Sequence, residues 1–122
     1  MSKTILTIDD SASIRQMVAM TLTAAGHNVV EAGNGAEGYT KAIAQPLDAI
    51  LPDLNMPVLN GIEFIRKYRQ HPASKGVPII LLTTESDEEL KRQAKEAGAT
   101  GWIVKPFKQD QLIAVIKKVT GA

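Results

Sequence analysis

The chain has 122 residues, 44% of them hydrophobic, which is enough for one compact core and too short for two domains of usual size. Fourteen Lys and Arg against thirteen Asp and Glu leave a formal net charge of +1, so no global field favours nucleic acid, an anionic membrane or a basic partner. The lack of Cys excludes a disulfide framework and any Cys-ligated zinc or iron–sulfur centre, and MSKTILTIDDSAS reaches two aspartates too soon for a signal peptide or membrane span, so a cytoplasmic location is expected.

The first apolar run, TILTI (4 to 8), reads as a strand and ends on Asp9 and Asp10. Ser11 or Ser13 can cap the helix that follows, which places Ile14, Met17, Val18, Leu22 and Ala25 at helical spacing before Gly26 ends it. NVVEA (28 to 32) is a second strand, followed by the glycine-rich turn GNGAEG and a helix. DAIL (48 to 51) is the third, running into Pro52 and Asp53. PIILLTT (78 to 84) is the fourth, after which Asp87 with Glu88 and Glu89 starts a helix that Gly98 closes. GWIVK (101 to 105) is the fifth, and Leu112, Val115, Ile116 and Val119 mark the last helix. Strand and helix alternate five times, which requires parallel strands with right-handed crossovers: a doubly wound α/β domain with helices on both faces of the sheet.

In such a sheet the carboxyl ends of the strands share one edge, where ligands bind. The first strand delivers Asp9 and Asp10 there, the third Asp53, the fourth Thr83 and Thr84, and the fifth Lys105. Gathered carboxylates repel by about 4 kcal/mol per pair at ~4 Å with an effective dielectric near 20, so a cation must offset them. Lys105 supplies one charge, and a hard divalent ion such as Mg²⁺ suits the remaining oxygens. Acids for a metal, a lysine and a hydroxyl for phosphoryl oxygens, and one carboxylate free to attack are the parts of a phosphoryl-transfer site. Asp53, alone on a central strand, is the candidate nucleophile.

The segments TIDDSASIRQM, DLNMPVLNG, PIILLTTE and AGATGWIVKPF, in this order and spacing, resemble the receiver domains of bacterial two-component response regulators, and specifically the stand-alone CheY-type chemotaxis regulators. The resemblance spans essentially the whole chain as a single receiver domain over residues 1 to 122. It implies a five-stranded sheet in the order 2-1-3-4-5, of which CheY is itself an example. It implies that Asp53 accepts a phosphoryl group from a phosphohistidine of a chemotaxis-type sensor kinase, with Mg²⁺ held by Asp10, Asp53 and the backbone carbonyl of Asn55, and Asp9 beside the metal. Thr83 and Lys105 would then engage the phosphoryl group. Trp102, where the family more often has Tyr or Phe, would be the second half of the switch, and Asn55 and Glu85 would tune hydrolysis. The domain would act as a signalling phosphoacceptor and no conventional enzyme.

The last predicted helix reaches almost to Ala122, so output is expected through protein contact by a monomer, with a flagellar motor switch protein as target or with a phosphate-sink or adaptor role as alternatives. GNGAEG (33 to 38), with Asp53 about twenty residues on, also matches a dinucleotide-binding fingerprint, although glycines here have a plainer use in positive φ and tight helix entry. Pro52 is the anomaly. It lacks the N–H for a ladder bond, a loss of about 1 to 3 kcal/mol if a buried carbonyl stays unpaired. Either the strand stops one residue early, or a kink re-aims Asp53.

Overall fold

The computed structural model describes residues 3 to 56 and 58 to 121. Five strands alternate with five helices: β1 Thr4–Ile8, α1 Ala12–Ala24, β2 Asn28–Ala32, α2 Gly35–Ala44, β3 Ala49–Pro52, α3 Gly61–Arg69, β4 Ile80–Thr83, α4 Glu88–Ala97, β5 Gly101–Val104 and α5 Gln109–Thr120, with a short 3-10 turn at Pro72–Ser74. The helix boundaries follow their local chemistry. Ser11, the first of the two serines, caps α1 by accepting from the Ile14 N–H, and Asp87 caps α4 through the N–H groups of Glu89 and Leu90. Gly98 ends α4 at φ 116°, a conformation that glycine adopts without steric cost.

All strand pairs are parallel, in ladders of order β2-β1-β3 and β4-β5. Isolated parallel bridges, Ile50 to Ile79 and Asp53 to Leu82, set β3 beside β4. The two ladders thus lie side by side through β3 and β4, with one interruption between them. Alternate strand residues feed two cores. Leu6, Ile8, Ile50 and Leu81 pack with α2, α3 and α4 through Ala42, Phe64, Tyr68 and Ala94, among others. Ile5, Leu51, Ile80 and Ile103 pack on the other face with Val18 and Leu22 of α1 and Leu112 and Ile116 of α5. Each fully buried aliphatic side chain contributes roughly 1.5 to 3 kcal/mol, so two-sided burial is what makes the central strands near-continuous apolar runs.

The interruption is Pro52. Ile50 donates its N–H to the Pro78 carbonyl at 3.0 Å and Leu54 donates to the Leu82 carbonyl at 2.9 Å, so alternation points the nitrogen of residue 52 at β4 as well. Proline has no hydrogen there, and one rung is lost. The strand does not stop early, however, because Pro52 is the last residue of β3 and stays paired with Ile8 on β1. Nor does the backbone leave its register: the Asp53 N–H reaches the Ile8 carbonyl at 2.8 Å, and the Leu54 bond restores contact with β4 one residue later.

Two of the glycines of GNGAEG, Gly35 and Gly38, serve close packing. None of Gly33, Gly35 and Gly38 has positive φ, which corrects that expectation. A Cβ on Gly35 would lie 2.3 Å from the Leu59 carbonyl oxygen, and one on Gly38 would lie 2.5 Å from Ile8 Cδ1. Helix α2 therefore presses onto β1 and onto the loop after β3, with Asn34 as its N-cap. The same packing leaves the dinucleotide fingerprint without a need for phosphate contact.

Candidate functional site

The carboxyl ends of β1, β3 and β5 converge as the alternation requires. Asp9, Asp10 and Asp53 each offer a carboxylate oxygen within 4.8 Å of the others, and this is the one such acidic group among the described residues. Asp9 and Asp53 are buried and Asp10 is exposed. Lys105 reaches across from β5, its Nζ donating to Asp9 Oδ2 at 3.0 Å and to Asp53 Oδ1 at 2.8 Å. Four of the sequence-derived residues thus form one cluster, with the lysine occupying the space between two of the acids.

Backbone contacts aim these groups. Asp9 Oδ1 accepts the Ser11 N–H at 2.9 Å, and Arg15 of α1 donates from Nη1 to the Asp9 carbonyl at 2.7 Å while its Nε pairs with Glu31 at 3.2 Å. Arg15 and Glu31 were not identified from sequence. A helical Arg close to two acids was the available signal. Beyond Asp53 the chain turns through Val58, at φ 71° and 81% exposed, a conformation that costs a β-branched residue of order 1 to 3 kcal/mol. Asn60 then caps α3 in a reciprocal arrangement with Glu63. Gly61 follows because nothing larger fits: a Cβ there would stand 2.6 Å from the Asp53 carbonyl oxygen and 3.0 Å from Leu54 Cα, both backbone atoms. Its own N–H donates to the Leu54 carbonyl at 2.9 Å, drawing the start of α3 against the residue that follows Asp53.

Thr83, fully buried at the end of β4, accepts the Glu85 N–H on its Oγ1 at 3.0 Å. Trp102 on β5 donates from its indole Nε1 to the Glu85 carbonyl at 3.2 Å, and its ring packs on the α2/α3/α4 core. The two residues expected to move together therefore hold opposite ends of one residue, Glu85. An indole N–H makes this contact and a Phe could not. Asn55 and Glu85 are exposed and line a shared concavity with Asn60, Glu63, Arg66 and Gln93.

Burial pushes the Asp53 carboxyl above the usual carboxylate range; the hydrogen bond from Lys105 opposes this, and the charges of Asp9 and Asp10 add to it. For Lys105 burial works against the charged form, yet bonding to Asp53 and Asp9 prevails and holds the ammonium above its ordinary value. Ionised Asp53 is thus a stability cost. Because its folded-state pKa lies above the unfolded value, that cost is fully present above the folded value and fades as pH falls through it. Asp53→Asn is expected to raise stability by about 1 kcal/mol at neutral pH, with the gain shrinking in acid. Urea unfolding of both proteins across that range checks this, and no gain at neutral pH would contradict it.

The donor set fits a hard divalent ion, since three carboxylate oxygens can approach one point and nothing softer is present. The model of the response regulator receiver domain matches residues 5 to 117. The phosphate regulon transcriptional regulatory protein PhoB of Pseudomonas aeruginosa is 38% identical over 117 residues, 96% of this chain and 51% of that protein. The chain spans about half the length of the curated relatives it matches. Among solved structures, chemotaxis protein CheY4 of Vibrio cholerae is 44% identical with a TM-score of 0.94, covering 98% of this chain and 99% of that one. The receiver domain of a Pseudomonas aeruginosa sensor histidine kinase, with a magnesium ion coordinated in its active site cleft, is 28% identical with a TM-score of 0.92 over the full length of both. Acids on two strand ends, a lysine between them and a match over nearly every residue have one reading: the chain belongs to the response regulator receiver domain family, a domain of phosphorelay signalling.

Proposed function

We propose that Asp53 accepts a phosphoryl group from a phosphohistidine of a sensor kinase. The observation that carries this is the meeting of Asp9, Asp10, Asp53 and Lys105 at one strand edge. An Asp53 carboxylate oxygen attacks phosphorus, the bond to the imidazole nitrogen breaks, and the imidazole leaves with the electron pair. Water later attacks the same phosphorus and releases inorganic phosphate, restoring the carboxylate. Mg²⁺, held by Asp9, Asp10, Asp53 and the Asn55 carbonyl, would supply charge neutralisation for the phosphoryl oxygens.

The chain's own residues do the rest. Lys105, already bonded to Asp53, gains phosphoryl oxygens as partners and keeps its charge at the site. Thr83 turns its hydroxyl from the Glu85 N–H to the phosphoryl group, and Trp102, bonded to the same residue, responds to the freed segment. Asn55 and Glu85, which line the same concavity, set how readily water approaches. With acetyl phosphate and Mg²⁺, intact-mass spectrometry should show one phosphoryl group added to the protein and none to Asp53→Asn. Equal labelling of both, or of neither, would remove Asp53 from this role.

For output we propose chemotaxis, with a flagellar motor switch protein as target, on the strength of the end-to-end likeness to CheY4. The curated relatives that regulate transcription favour a second reading, in which the same domain controls an output of another kind. Capture of a purified motor switch protein by the chain, greater with beryllofluoride than without, is the expected outcome. No capture in either state would favour the phosphate-sink or transcriptional alternatives.

A further inference from the structure

The missing rung at Pro52 divides the sheet along a chemical boundary. On one side, β2, β1 and β3 form continuous ladders and carry Asp9, Asp10 and Asp53 at their ends. On the other, β4 and β5 form their own ladder and carry Thr83, Trp102 and Lys105. Among the described residues the halves are joined through the bridges Ile50 to Ile79 and Asp53 to Leu82, with the Ile50 N–H on the Pro78 carbonyl and the Leu54 N–H on the Leu82 carbonyl, and between those bridges the Ile80 carbonyl has no N–H to receive from residue 52. Ile80 is 2% exposed, so bulk water does not readily take the place of the missing donor.

The two ends of this boundary are tied in different ways. At the lower end Arg69 of α3 donates to the Gly98 carbonyl at 3.1 Å and to the Ser74 and Val77 carbonyls at 2.7 Å, fastening the entries to β4 and β5 onto the helix that follows β3. These bonds are independent of what happens at Asp53. At the upper end the Leu54 N–H on the Leu82 carbonyl at 2.9 Å is joined by a side-chain tie, Lys105, paired with Asp9 and Asp53 across the boundary. That tie alone would change when Asp53 changes its charge and shape.

We propose that Pro52 is a seam in the sheet, which lets the β4–β5 pair pivot on the Arg69 staple against β2-β1-β3 when the state of Asp53 alters. The trigger rests on the phosphoacceptor reading above, whereas the seam belongs to the unmodified protein. Two features follow from its position. Residue 52 adjoins the acceptor, so the softened rung lies directly beneath the group that switches. The ladder bonds of Asp53 and Leu54 survive, so softness is gained without loss of aim.

Pro52→Ala and Pro52→Val both restore the N–H while changing side-chain volume in opposite directions, so an effect common to both belongs to the donor. In the metal-free, unphosphorylated proteins, hydrogen–deuterium exchange of β4 should slow roughly five- to tenfold in both variants, with β2 unaffected. Unchanged β4 exchange, or equal slowing in every strand, would overturn the seam. With Mg²⁺ and saturating beryllofluoride, the change in Trp102 emission should be smaller in both variants, and a full wild-type change would overturn its part in switching. A wild-type protein that ignores beryllofluoride would instead overturn the phosphoacceptor reading, and the exchange comparison would still decide the seam.

Discussion

The Lys105 ammonium stands between two buried carboxylates, 3.0 Å from Asp9 and 2.8 Å from Asp53, and the rest of the site is arranged around that contact. Without it, three acids on neighbouring strand ends would repel by several kcal/mol in a partly desolvated space. With it, the cluster is held together but remains unsettled. Asp53 is still pushed toward protonation by burial, and Asp10 faces solvent. Such a site has an appetite for further positive charge, and in the proposed reaction the lysine would exchange a carboxylate for a phosphoryl oxygen and keep its role in either state.

The fold supplies this arrangement at modest cost because parallel strands all end at one edge. What it must supply in addition is aim. The Asp53 backbone is gripped by Ile8 on one side and, through Leu54, by Leu82 on the other, while Gly61 brings α3 to within contact of its carbonyl. Asp9 is fixed by Ser11 and Arg15. The opposing half of the sheet carries Thr83 and Trp102, proposed above as the responders, which meet at Glu85. Rigidity beneath the acids and a break in the ladder beside the responders are complementary features of one sheet.

Much of this was legible in the residues. The five apolar runs became strands within two residues of their expected bounds, because burial on both faces leaves a strong apolar signal. The acids, hydroxyl and lysine were found from their places at strand ends. The consequence of Pro52 was not. Its missing N–H is plain in the sequence, but whether that nitrogen faces β1 or β4 depends on pairing, and pairing is a tertiary property. The glycines after β2 were expected to allow positive φ and tight helix entry; none has positive φ, and the small size of Gly35 and Gly38 serves close approach by Leu59 and Ile8, both distant in sequence. Arg69 gave no signal at all, since its three acceptors are backbone carbonyls that any sequence would provide.

A divalent ion bound at this edge would compete with Lys105 for the same carboxylates. Calorimetric titration with Mg²⁺ of the wild type and of Lys105→Met is the sharpest test, because Met keeps most of the side-chain length and removes the charge together with its N–H donors. Mg²⁺ is expected to bind both proteins, and Lys105→Met more tightly, since the competing cation is gone. No binding to the wild type, or equal or weaker binding to the variant, would contradict it.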